Sequence, residues 1–466
     1  MFLWFSYIRV SDQGTWNAVA TGQRSSNLVD RWLPLSEGMP VLNSNQGANQ
    51  FVSWLYNTGD VEAISLSFAI LETCTFLLWS IILFRITSPG CALIGTVAIV
   101  AASFFQINGL NAISISHLFF ATLFLLLAIE TKDKRIQWVD AGLRSWFSIA
   151  VLMIVWANVG ASVFAGILVL LLLAVCRVFE TGGKCLNDAE FHKRVWLFQI
   201  GLLATAFTPA GVQSWYEVFA TGSLLNSLGG WQPSMMAGFN GAVVGIFWLT
   251  WLFTNKDSTR SISFFDAAAI LLTIGVACSQ NLIAWFAPII CLAIAQKASP
   301  VESLITEPFS IQGRMKFAFT LLSGLIIWLG FCFSPFGNQI LGGQQRSYAQ
   351  FVGSDFPLEL KSKLNELGSP KTVWSPVEWA DWLAVDSTTQ LFMNQDQSRF
   401  PGTVKTDYHS IYVGNNWKRL VDKYAIETMA IDKNRQSQFM PKFRQAPGAW
   451  RIAYENKKSA LLRRVR

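Results

Sequence analysis

The residues best suited to chemistry come early, in the first polar stretch, 11–60, which carries Asp12, Trp16, Arg24, Asp30, Arg31, Trp32 and Glu37. A carboxylate such as Asp12, just after an apolar segment, is placed to act as a general base toward a hydroxyl acceptor while a membrane presents a lipid-borne donor beside it. Arg24 and Arg31 carry the planar guanidinium fork that pairs with phosphate oxygens. Trp16, Trp32 and Trp231 offer ring faces to the C–H groups of a sugar. Each also has a plainer reading: Asp12 caps a helix, the arginines are solvated or touch lipid head groups, and most of the 20 tryptophans are interfacial anchors or core. Asp30 and Glu37 rank below Asp12, because acids in loops are mostly solvated.

The elements that must position these groups are set by hydropathy. With 52% hydrophobic and only 14% charged residues, and a mean hydropathy of +0.37, the chain has the composition of a multi-spanning membrane protein. Apolar segments run near 61–84, 92–107, 110–129, 147–158, 160–178, 194–210, 238–254, 264–280, 281–297 and 316–334, about ten in all. From Tyr348 on the composition is that of a soluble domain. The expected fold is therefore mainly α: a polytopic helix bundle with an outer C-terminal α/β domain, divided as 1–60, 61–334 and 335–466. Met1–Val10 is too short to cross a hydrocarbon core, which needs about 20 residues. It reads either as the last turns of a membrane helix that begins upstream or as an interfacial segment. The polar stretch after it, poor in helical periodicity, reads as an extramembranous loop.

Lys and Arg gather in alternate connections. Lys132, Lys134, Arg135 and Arg144 fill one, and Arg177, Lys184, Lys193 and Arg194 another, whereas the turns 106–109, 158–160, 211–237 and 280–281 hold none. By the positive-inside rule the first loop, the 211–237 loop and the C-terminal region then fall outside the cytoplasm, in a multi-pass protein of the plasma (inner) membrane. ATP and nucleotide sugars are improbable substrates there, and no phosphate-binding or dinucleotide-binding glycine pattern occurs. The net charge of +7 follows from the basic connections, so no nucleic-acid partner is expected.

The seven cysteines lie in or beside the apolar block and form no disulfide framework or CxxC pattern, and His117, His192 and His409 fall in three separate regions. No cofactor is predicted, and a divalent metal requirement is left open. In the tail, 371–375 resembles a strand, 376–385 a proline-opened helix, 390–394 a strand, 416–424 a helix and 426–431 a strand, with a closing hairpin over 450–454 and 459–464.

Within the membrane block Trp156-Ala-Asn158-Val-Gly160 places an amide at a helix break, where it either satisfies backbone groups or lines a cavity. The order Asp12, Trp16, Thr21-Gly22, Pro40, Asn43, Trp54-Leu55-Tyr56, then WANVG, TPAG and WQP, resembles bacterial membrane proteins of the GT-C glycosyltransferase superfamily. These are similar to protein mannosyltransferases, which move a sugar from a polyprenyl-phosphate carrier outside the cytoplasm. The tail segments SPVEWADWL, WKRLVDKYAIE and WRIAYENKKSALLRR resemble the outer C-terminal domain of some of these proteins. The resemblance strengthens Asp12 as the catalytic base or acceptor-orienting acid, and Trp16, Asn17, Arg24, Arg31, Asn158 and Trp231 are the expected substrate-binding residues. It also implies membrane lipid and a polyprenyl-phosphate-linked sugar as partners, with the acceptor unspecified. Asn17 and Gly160 stand where relatives often carry a histidine, and loss of both imidazoles keeps a non-catalytic assembly protein in play. A transporter is the third reading. It is disfavoured by the small number of intramembrane ionisable residues, Glu72 among them, and by the lack of an internal repeat.

Overall fold

A computed structural model describes residues 1–24, 33–36, 45–104, 106–107, 109–127, 143–182, 184–209, 211–212, 215, 239–255, 263–298, 324–344, 346–353, 356–368, 372–387, 389–396, 400–444 and 449–465. The chain divides into two compact units, and neither is contiguous. One comprises Met1–Ile8, Ser44–Ala48 and Ser65–Gln345; the other comprises Arg9–Asn43, Asn49–Ile64 and Arg346–Arg466. Most of the first polar stretch thus belongs to the same unit as the tail.

The first unit is helical. Its helices include Pro89–Ser103, Ala112–Leu127, Leu143–Val159, Val163–Glu180, Ala189–Ala204, Phe239–Asn255, Phe264–Cys278 and Ile283–Ala298. The last of these is apolar around its whole circumference, with Phe286, Ile289, Ile290, Leu292 and Ala293 fully buried, and it packs on three of the others. A helix apolar on every side belongs in the middle of a bundle. Asp266 ties its end: Lys297 Nζ lies 3.1 Å from the carboxylate, Trp251 Nε1 donates at 2.6 Å and the Ser263 N–H at 2.8 Å.

Other helices turn large apolar side chains outward. Ile94 is 70% exposed, Phe253 77% and Phe179 80%. Surfaces of this kind are costly in water and at home in lipid. Among the described residues two helices, Gln46–Ile86 and Val163–Glu180, are long and apolar enough to cross a membrane, with mean hydropathies of 1.9 and 2.4, and six apolar helices are shorter.

The first polar stretch is not the loop that its periodicity suggested. Gln13–Arg24 is a helix, and Gln46–Ile86 begins well before the expected 61. Thr15, Trp16, Ala18, Val19, Ala20 and Thr21 are all buried, and Trp16, Val19 and Ala20 stand at the i, i+3, i+4 spacing of a short apolar stripe. The long helix is interrupted at Gly59–Asp60, where Asp60 adopts φ 53°.

The second unit carries a four-stranded sheet in the order β1-β2-β4-β3, with β1 Val373–Trp374, β2 Thr428–Asp432, β3 Trp450–Glu455 and β4 Ser459–Arg464. β1 runs parallel to β2, and the other pairings are antiparallel. Helices Leu358–Glu366, Val377–Ala384, Gly402–Val413, Trp417–Lys423 and Phe439–Arg444 complete it around Trp374, Trp382, Phe392 and Phe439, all fully buried. The expected strand at 390–394 is reduced to a single bridge, Val373 with Leu391.

Candidate functional site

Backbone pairing fixes the position of Asp12. The Val10 N–H donates to the Phe351 carbonyl at 2.7 Å, Val10 bridges Val352, and a Cβ at Gly353 would meet Ser11 Cβ at 2.8 Å. Glycine is required there because the two segments lie in direct contact. Half-buried Asp12 opens the helix Gln13–Arg24: its Oδ2 accepts from the Thr15 N–H at 2.8 Å and from Thr15 Oγ1 at 3.2 Å. This is helix N-capping, and it holds one carboxylate oxygen in a set orientation.

Trp16 is fully buried. Its Nε1 donates to the Val10 carbonyl at 3.3 Å, and its ring meets Tyr56 and Phe356 edge-on, with centroids 6.4 and 6.0 Å away. It is a core residue that braces the Asp12 segment, which corrects its expected role as a sugar platform. Arg24 donates to the carbonyls of Ala384, at 2.6 Å, and Ser387, closing the C-terminus of Val377–Ala384. Both bonds come from Nη2 of the guanidinium that was expected at a phosphate. Asn17 Nδ2 and Thr21 Oγ1, one helical turn apart, are buried with no hydrogen-bond partner among the described residues. Gly22 sets the packing of this helix, since a Cβ would come within 2.2 Å of the Asn49 carbonyl oxygen.

The same unit holds a cluster that the sequence reading missed. Tyr56 donates its hydroxyl to Asp386 Oδ2 at 2.6 Å, Gln23 Nε2 donates to Oδ1 at 2.9 Å, and the Asp386 N–H returns a bond to Gln23 Oε1 at 3.2 Å. Asp386, at φ 55°, takes the left-handed position after Val377–Ala384, where its short polar side chain is tolerated. Lys361 Nζ sits 4.9 Å from the centroid of the Trp382 ring. Burial pushes the Lys361 ammonium down to about 8, and the Asp386 and Asp60 carboxylates partly offset this. Tyr348 is pushed up to about 12, first by burial and then by the Asp60 charge. The unit thus places a lysine that changes charge near neutral pH among two carboxylates and two tyrosine hydroxyls. Tyr56 and Trp382 stood in quoted motifs, but nothing in the spacing of Lys361, Tyr348 and Asp386 signals their approach.

Asn158 belongs to the other unit. Its Nδ2 donates to the carbonyls of Ile154 at 2.8 Å and Phe207 at 2.9 Å, so the amide satisfies backbone at the helix break. A Cβ at Gly47 would approach the Asn158 carbonyl oxygen to 2.3 Å. Arg31 and Trp231, like Asp30, Trp32 and Glu37, lie outside the described residues.

No protein-family model matches the sequence, and no characterised protein matches it. Solved structures do. ArnT from Cupriavidus metallidurans, bound to undecaprenyl phosphate, superposes over 100% of this chain and 96% of its own, with a TM-score of 0.54 and 11% identity. The Archaeoglobus fulgidus oligosaccharyltransferase, in a complex with zinc and sulfate, matches 91% of this chain at a TM-score of 0.49 and 12% identity. This chain spans only 64% of the length of that protein. The archaeal oligosaccharyltransferase AglB, in complex with an inhibitory peptide and a dolichol-phosphate, gives a TM-score of 0.47 at 11% identity over 66% of its length. The structural neighbours are GT-C glycosyltransferases, and the chain shares with ArnT, from end to end, the fold of a helix bundle followed by a C-terminal domain.

Proposed function

We propose that this protein is a multi-pass membrane glycosyltransferase that moves a sugar from a polyprenyl-phosphate carrier to an acceptor at the outer face of the plasma membrane. The supporting observation is the end-to-end fold shared with ArnT, a protein captured with undecaprenyl phosphate. Asp12 is the general base. Its Oδ2 is held by Thr15, so the carboxylate is oriented to take a proton from the acceptor hydroxyl as that oxygen attacks the sugar's anomeric carbon and the lipid phosphate leaves. The unpartnered Asn17 amide and Thr21 hydroxyl, on the same helix, are suited to sugar hydroxyls. Lys361 supplies the positive charge for the phosphate, with the Tyr348 hydroxyl as a donor beside it. Arg31, Asn158 and Trp231 remain candidate substrate contacts of this reading.

The test is binding and transfer in one preparation: a short polyprenyl phosphate should bind the purified full-length protein, and binding should fall at least tenfold in Lys361→Met. Unchanged binding would remove Lys361 from the site.

One set of observations favours a second reading, a non-enzymatic assembly protein with an outer binding domain. Asp12 caps a helix, Trp16 is core and Arg24 closes another helix, so three expected site residues have structural work. Under that reading no donor yields transfer.

A further inference from the structure

Inside the helical unit lies a cavity of about 10 Å³, room for one water or one bare ion. Glu72, Ser103, His117, Ala284 and Pro288 line it, together with aromatic rings such as Phe76 and Trp79. Glu72 is 0% exposed, Ser103 1% and His117 8%. Both Glu72 carboxylate oxygens, Ser103 Oγ and His117 Nε2 lack hydrogen-bond partners among the described residues. A fully buried, unpartnered carboxylate is among the most costly groups a protein can hold: it either takes up a proton and stays neutral or holds a cation that compensates its charge. The helix Ile283–Ala298 adds a further acceptor. Pro288 has no N–H, so the carbonyl of Ala284, four residues earlier, loses its helical donor, and both residues line the cavity.

From these groups we infer that the cavity binds one sodium ion, held by Glu72 with Ser103, His117 and the Ala284 carbonyl. The donors are mostly oxygen, as a hard cation requires. There is a single carboxylate, and no group of three or more His, Cys, Asp or Glu among the described residues is arranged to hold a metal ion, so the charge matches a monovalent rather than a divalent ion. Backbone carbonyls without a helical donor are also groups with which membrane helices coordinate Na⁺. Ser80 and Thr96, which bond each other at 2.8 Å, and Thr75, which donates to the Leu71 carbonyl at 2.9 Å, already have partners.

The experiment uses the full chain in detergent. Thermal unfolding is followed while NaCl replaces choline chloride at constant ionic strength, and infrared spectra are recorded in H₂O and D₂O. If sodium is the ion, the wild type gains a saturable rise of a few degrees in Tm that Glu72→Gln abolishes. If Glu72 is simply neutral, sodium has no effect and a deuterium-sensitive carboxylic acid band that Glu72→Gln removes is present at every sodium concentration; that result overturns the inference. Ser103→Ala, which keeps the carboxylate, should weaken the sodium response severalfold, and it serves if Glu72→Gln fails to fold. A wild type without a saturable sodium response would likewise overturn the inference.

Discussion

Lys361 is the group whose behaviour most sharply separates this account from a generic basic surface. An ordinary lysine stays almost wholly protonated at pH 9, whereas one held at about 8 is then only about one-tenth ammonium. If that charge binds the lipid phosphate, affinity falls about tenfold between pH 7 and 9, with a midpoint near 8. The ligand does not obscure the titration, because the second ionisation of a phosphate monoester lies near 6 and is already about nine-tenths complete at pH 7. Tyr348, pushed up to about 12, also keeps its proton across this range. Unfolding cannot imitate the effect, since the sign is opposite. A lysine held lower in the folded state than in the unfolded chain binds fewer protons when folded. Stability therefore rises with pH from about 8 toward 10.5 while binding falls. The assay is native mass spectrometry or fluorescence binding of a short polyprenyl phosphate to detergent-solubilised protein at pH 7 to 10, with Lys361→Arg alongside. The arginine variant should bind without a pH step. A wild-type midpoint above 10, or the same step in Lys361→Arg, would refute the reasoning.

Other expectations follow from the geometry. Arg24→Met removes the donors to Ala384 and Ser387 and should cost about 1–3 kcal/mol of stability while leaving phosphate binding unchanged; loss of binding without loss of stability would restore the phosphate-contact role. Gly22→Ala drives a Cβ toward the Asn49 carbonyl and should destabilise by about 1–3 kcal/mol, whereas Gly90→Ala, with nothing within 4 Å, should be neutral or better in thermal melts. A reporter active only outside the cytoplasm should work when fused after Arg466 and stay silent in the 132–144 connection; the reverse pattern would invert the topology.

Much of the tail was legible in the sequence because its signals are local. The hairpin expected over 450–454 and 459–464 forms over Trp450–Glu455 and Ser459–Arg464, and the proline-opened segment at 376 becomes the helix Val377–Ala384. The helix Gly402–Val413 was missed although Pro401 precedes it and Gly414, at φ 81°, follows it, since its β-branched and aromatic residues mask the helical pattern. The helix Gln13–Arg24 is hidden by its composition: Trp16, Val19 and Ala20 stand at helical spacing, but Gln, Gly, Asn and Thr around them carry the signals of a polar loop. For the site, Asp12 and the motif containing Tyr56 were visible, but Lys361 and Asp386 acquire meaning only when distant segments meet. Burial, not residue type, shifts the lysine. Trp16 and Arg24 drew functional expectations from side-chain chemistry that the fold spends on packing and capping.

Asp12→Asn tests the central claim most directly. Asparagine caps a helix about as well as aspartate, so expression and Tm should hold, while the loss of a general base should lower transfer by a factor on the order of 10². Membranes carrying each protein are supplied with a polyprenyl-phosphate sugar pool, and glycosylated product is detected by mass. The account predicts product from the wild type and about a hundredfold less from Asp12→Asn; equal rates from the two proteins would contradict it.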